Sequence, residues 1–142
     1  MYDLIIPFST EPWHYPLRKF KNLCANIDGL QPGLYIIGAE TNIGKTALLT
    51  NIAMDLIESN PEVRVLYFSL DDSWSVITNR FLGILTELEL NRVQRKQDSE
   101  QDSVKIQKAY HTLCDLSDSG RLFIKDLSEV TNFDQVEAVI RE

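Results

Sequence analysis

Residues 39 to 46 read Ala39-Glu40-Thr41-Asn42-Ile43-Gly44-Lys45-Thr46 and close on a Gly-Lys-Thr triplet whose residue types suit phosphate chemistry. A phosphate needs several donors converging on a small anion. A turn feeding a helix N-terminus supplies them as unpaired backbone N–H groups at the positive end of the helix dipole. In that setting Gly44 lets the backbone come close to the phosphates and Lys45 sets a point charge on the β and γ groups. The Thr46 hydroxyl can ligate Mg²⁺. The chemistry indicated is binding of a nucleoside triphosphate, ATP with Mg²⁺. The first position of the pattern is Ala39 rather than Gly, a small residue preceded by Gly38. Glu40 brings a carboxylate to the loop, which is electrostatically tolerable only if it faces solvent.

Gly-Lys-Thr also occurs in ordinary strand–helix turns with a solvated lysine, so the flanking elements decide its meaning. Before the loop, Leu30-Gln31-Pro32-Gly33 makes a turn and Leu34-Tyr35-Ile36-Ile37-Gly38 is a short apolar, β-rich run of the kind that forms a buried parallel strand. After it, Leu48, Leu49, Ile52, Ala53, Leu56 and Ile57 recur in pairs four apart, a helix with one apolar stripe ending near Ser59-Asn60-Pro61. Strand, loop and helix follow in the order a phosphate site requires.

A second chemical feature follows the next strand, residues 63 to 69: the carboxylates Asp71 and Asp72 precede a helix marked by Ile77, Phe81, Ile84, Leu85 and Leu88. An aspartate there is by itself a helix cap. Residues 91 to 103 are almost devoid of apolar side chains and predict a mobile surface loop. Ile106, Ala109, Tyr110 and Leu113 then mark a helix and Leu122-Phe123-Ile124 a strand. Thr131-Asn132-Phe133-Asp134 reads as the cap of a last helix through Ile140. Strands alternating with helices predict an α/β fold with a parallel sheet covered on both faces.

Residues 7 to 16 carry three prolines and three aromatics, an extended arm whose Trp13, His14 and Tyr15 serve as packing anchors rather than as an adenine stack. The division expected is a leader arm over 1–15 and one ATPase unit over 16–142. A chain of 142 residues with 44% hydrophobic content supports one core. The formal charge of −7 excludes a global field for nucleic-acid phosphates. Cys24 and Cys114 sit in no metal-ligand spacing and read as thiols in a reducing cytoplasm. Neither a secretory leader nor an uncharged run of membrane-spanning length is present in the sequence, which reads as cytoplasmic with no membrane partner.

Taken in order, Gly29-Leu30-Gln31-Pro32-Gly33, the strand, Gly44-Lys45-Thr46-Ala47 and Phe68-Ser69-Leu70-Asp71 resemble the RecA-like motor domain of DnaB-type replicative DNA helicases, best over residues 16 to 90. The resemblance implies an incomplete RecA-like P-loop core, ATP hydrolysis coupled to duplex unwinding in DNA replication, and a hexamer around single-stranded DNA. In that family a glutamate at the position of Asp71 activates the attacking water, so Asp71 and Lys45 are the catalytic candidates, with Asp72 a second claimant to the carboxylate role. Arg80 stands where the family carries an arginine, but a lone helical arginine is usually a solvated group and no catalytic role is given to it. Glu40 and Thr41 replace a basic residue and a proline.

The family's metal-organising Asp, its DNA-gripping loops and its arginine finger have no matching words before Glu142. The expectation is therefore a fragment or a short stand-alone relative. DNA would be gripped by regions outside this sequence, and an unpaired sheet edge would favour self-association. Two other readings compete: a RecA-like ATPase of the recombinase or clock-protein kind, and a non-catalytic nucleotide-binding or oligomerisation module.

Overall fold

A computed structural model of the protein describes residues 5–7, 14–95, 99–126, 128 and 132–141. Its centre is the strand β2 (Val65–Ser69), all five of whose side chains are buried. Side chains of a strand alternate between its faces, so a strand buried along its whole length must be covered on both. Val65 and Tyr67 enter the main core with Ile52, Ala53, Leu56, Ile77 and Phe81, while Leu66 and Phe68 pack on the other face against Val136 and Ile140. The Tyr67 and Phe81 rings meet edge to face, centroids 5.9 Å apart.

The helices on the main-core face are α2 (Lys45–Ser59), α3 (Trp74–Thr86) and α5 (Glu100–Asp118), and α6 (Phe133–Arg141) covers the opposite face. The strand β3 (Leu122–Asp126) pairs in parallel with β2, Val65 opposite Leu122 and Ser69 opposite Asp126, so both strands end at one edge of the sheet. Asn132 accepts the Gln135 N–H at 2.9 Å and opens α6 as the sequence predicts. Thr131 of the same cap and Trp13 of the arm lie outside the described residues. The α/β class holds, with one antiparallel addition: β1 (Ile5–Pro7) pairs with the other edge of β2, Ile5 opposite Tyr67.

Two expectations are overturned. Residues 34 to 38 form no strand, and Leu34 and Ile36 are 74% and 70% exposed. A strand exists only with a ladder partner; β2 has β3 on one edge and β1 on the other, and no described segment pairs with this apolar run. Residues 91 to 103 are no loop either: α4 (Leu90–Arg95) precedes α5, Val93 is fully buried, and residues 96–98 lie outside the description. Single interactions decide this segment. Ser99 accepts the Asp102 N–H at 3.1 Å as the cap of α5, and Arg92 binds the buried Asp102 carboxylate at 2.5 Å. Window composition is blind to one buried valine and one ion pair.

The chain just before the helix α1 (Lys21–Ile27) lies against the C-terminal part of α2, with Pro16 bonded to Asn60 and Arg18 and Lys19 to Asp55. Tyr15, paired with Leu30, and Leu17 are buried in the core, as packing anchors should be. Residues 16 to 19 cover the side of α2 that periodicity would assign to solvent. Asp55 there is buried, and its carboxylate accepts the backbone N–H groups of Arg18 and Lys19 at 3.1 and 2.8 Å and the Ser59 hydroxyl at 2.9 Å.

Candidate functional site

Gly44 is the residue on which the loop turns into α2. Its φ of 104° lies where a side chain is strained, although a Cβ would meet nothing within 4 Å. The left-handed backbone at Gly44 is a conformational requirement of the loop itself, beside the close approach to phosphates expected of it. Asn42, at φ 62°, is the second left-handed residue, a conformation asparagine tolerates better than most. Alternation of left-handed and ordinary backbone aims successive N–H groups to one side, the geometry of an anion-binding concavity.

The first intrahelical bond of α2 runs from the Leu48 N–H to the Gly44 carbonyl at 2.9 Å, and no side chain caps the helix. The amides of Lys45, Thr46 and Ala47 therefore stand ahead of the helical ladder as donors at the positive end of the dipole. The Thr46 hydroxyl has no hydrogen-bond partner among the described residues. Lys45 Nζ donates to the carbonyls of Ala39 and Glu40, both at 2.7 Å, closing the loop on itself. Ala39, Glu40, Thr41, Asn42 and Ile43 are exposed, and the Glu40 carboxylate is at the surface as electrostatics demands.

The second half of the site is the turn between β2 and α3, where Ser73 is the N-cap residue of α3 without a side-chain cap bond of its own. The cap comes from across the sheet: Asp126, at the end of β3, accepts the Trp74 N–H at 2.6 Å. Its carboxyl is held below the ordinary aspartate value by the Ser128 hydroxyl, then by the backbone N–H groups of Trp74 and Ser128. Sequence reading missed Asp126, whose only signal is its place at a strand end.

Asp72 donates its backbone N–H to the Ser69 hydroxyl at 3.0 Å and pairs with Arg80 at 3.7 Å. Asp71 is exposed and its side chain has no partner among the described residues. Arg80 connects the two halves. It lines one cleft with Ala47, Thr50 and Asn51 of the early turns of α2, and its buried Nε has no hydrogen-bond partner. The helix cap expected of Asp71 as the bland alternative is made by Asp126 instead. His14, expected to be a packing anchor, is instead exposed and pairs with Asp28 at 3.7 Å. No group of three or more His, Cys, Asp or Glu side chains suited to a metal occurs among the described residues, nor does any helix long and apolar enough to cross a membrane.

The model of one protein family, the DnaB-like helicase C terminal domain, matches residues 18–142, more than half of the chain. A search of curated proteins finds no match. The chain belongs to the DnaB-like helicase C-terminal domain family, a helicase motor domain with a RecA-like P-loop fold that in general uses a nucleotide and Mg²⁺.

Proposed function

We propose that the chain binds ATP with Mg²⁺ through residues 39 to 46 and hydrolyses it with Asp71 as the carboxylate that activates water. Turnover in a ring of copies would drive movement along single-stranded DNA and unwinding of the duplex. The observation that carries this reading is the start of α2. A left-handed glycine opens a helix whose first amides no side chain caps, with Lys45 folded over the same loop.

On binding, Lys45 Nζ exchanges two neutral carbonyls for anionic phosphate oxygens, and charge-assisted bonds are roughly twice as strong as neutral ones. The amides of Lys45, Thr46 and Ala47 hold the phosphates in place. The unpartnered Thr46 hydroxyl fits Mg²⁺, which would neutralise developing charge on the phosphate oxygens. Asp71 orients a water for in-line attack and takes its proton.

Asp71 is one methylene shorter than the family's glutamate, which favours one alternative, a nucleotide-binding or oligomerisation module without turnover. Family membership speaks for the helicase over a recombinase or clock-protein ATPase. ATP titration and a turnover assay with and without single-stranded DNA decide the matter, with Lys45→Ala as control. Turnover stimulated by DNA is expected. Binding without turnover selects the module, and affinity unchanged in Lys45→Ala sinks the whole reading.

A further inference from the structure

The two adjacent carboxylates after β2 are in opposite situations. Asp72 is tied down at two points: its backbone N–H to Ser69 Oγ at 3.0 Å and its side chain to Arg80 Nη2 at 3.7 Å. Two residues on, the Trp74 N–H is held by Asp126 at 2.6 Å. Asp71, between Ser69 and these ties, makes no side-chain bond among the described residues. The Asp72 and Arg80 side chains are 30% and 26% exposed, partly screened from water, so the pair is better placed than a surface ion pair to fix geometry.

From this contrast we infer that Asp72 is a positioning residue and not a second candidate for the base. Through Arg80 and Ser69 it fixes the turn so that the Asp71 carboxylate is presented free. Four residues of turn, 70 to 73, would otherwise carry the carboxylate on a backbone with no regular bonding. A carboxylate that must align a water loses most of its effect when displaced by an ångström, so immobilising its neighbour is chemically useful. Arg80 is the other half of the device. It stands on α3 and borders the early turns of α2, so the turn is referenced to the helix that begins at Lys45. Asp126 supplies the third tie from β3.

The inference rests on the ATPase reading for its purpose, but its mechanics are measurable without turnover. Hydrogen exchange of the full chain, followed at the amides of residues 70 to 74, reads the turn directly. Asp72→Asn and Arg80→Ala are expected to speed exchange of the Asp72 and Trp74 amides about tenfold, with Asp72→Glu near wild type and Asp71→Asn without effect. Equal protection in Asp72→Asn and wild type overturns the inference, as does loss of protection in Asp71→Asn. With wild-type turnover measurable, Asp72→Asn should lower kcat about tenfold at unchanged KM for ATP and Asp72→Glu should recover it, while Asp71→Asn should lower kcat at least about a hundredfold. A fall in Asp72→Asn as deep as in Asp71→Asn also overturns it. Failure of Lys45→Ala to weaken nucleotide binding would remove the ATPase reading while leaving the exchange result standing.

Discussion

The two ends of α2 are built on opposite principles. At its C-terminal end the carbonyls of Leu56, Ile57 and Asn60 are answered by side chains. Asn60 bonds the Pro16 and Leu56 carbonyls at 3.1 and 2.9 Å, and Arg121 bonds those of Ile57 and Asn60 at 2.6 and 2.8 Å. One turn earlier, Asp55 ties the backbone of Arg18 and Lys19 to the helix. At its N-terminal end, three amides stand before the first helical bond with no cap, behind a left-handed glycine. One end is anchored while the other keeps its donors unbonded, which is what the proposed nucleotide site needs. Rigidity at a distance from the chemistry is what makes an unsatisfied site tolerable.

The sharpest way to break this contrast is to loosen the anchored end. Asp55→Ala removes a buried carboxylate and strands two backbone donors, which should cost about 3 kcal/mol and lower the melting temperature by roughly 10 °C in calorimetry. If nucleotide affinity at a temperature where the variant is folded drops as much as in Lys45→Ala, the two ends are not separable. Lys45→Ala is the converse change. Its two bonds lie in an exposed loop, so stability should move by less than about 0.5 kcal/mol while ATP affinity falls at least about tenfold in titration.

Gly44→Ala sits between these extremes. Space is open around it, so the cost is conformational, about 1 kcal/mol, and should appear both in denaturant unfolding and as weaker ATP binding. A variant that is destabilised yet binds ATP normally would show that the left-handed turn serves folding alone. The smallest effect concerns the turn rather than the helix. The Asp126 carboxyl titrates below its unfolded value near ~3.9, so the folded state favours its anion. That contribution is complete above about pH 4 and is lost as pH falls through the folded value. Asp126→Asn should therefore flatten the acid limb of the stability curve below about pH 4 relative to wild type, and an unchanged limb would deny the tie to Trp74 any energetic weight.

Much of this architecture was legible along the chain. The repeat of Ile52, Ala53, Leu56 and Ile57 is α2, the run from Val65 to Ser69 is β2, and Asn132 opens α6, because each depends on neighbours within a turn or a strand length. The turn of the loop from Ala39 to Thr46 into a helix was equally readable, since it is local: a glycine that can turn left-handed with a helix behind it. The arm's Tyr15 was rightly taken as an anchor.

What the sequence alone determined, then, is the local turn of residues 39 to 46 into α2 and the identity of the helices that carry periodic apolar stripes. Tertiary structure decided everything that needs a partner from afar. Residues 34 to 38 have the composition of a strand, but a ladder is made by two segments and composition specifies one. Asp55 looks solvated until residues 15 to 19 fold over it, and Asp71 and Asp72 look equivalent until Arg80, eight residues beyond Asp72, and Asp126, from another strand, tell them apart. Hydrogen bonds and burial between distant residues leave no periodic trace in a sequence, which is why the free carboxylate after β2 is distinguished by the fold.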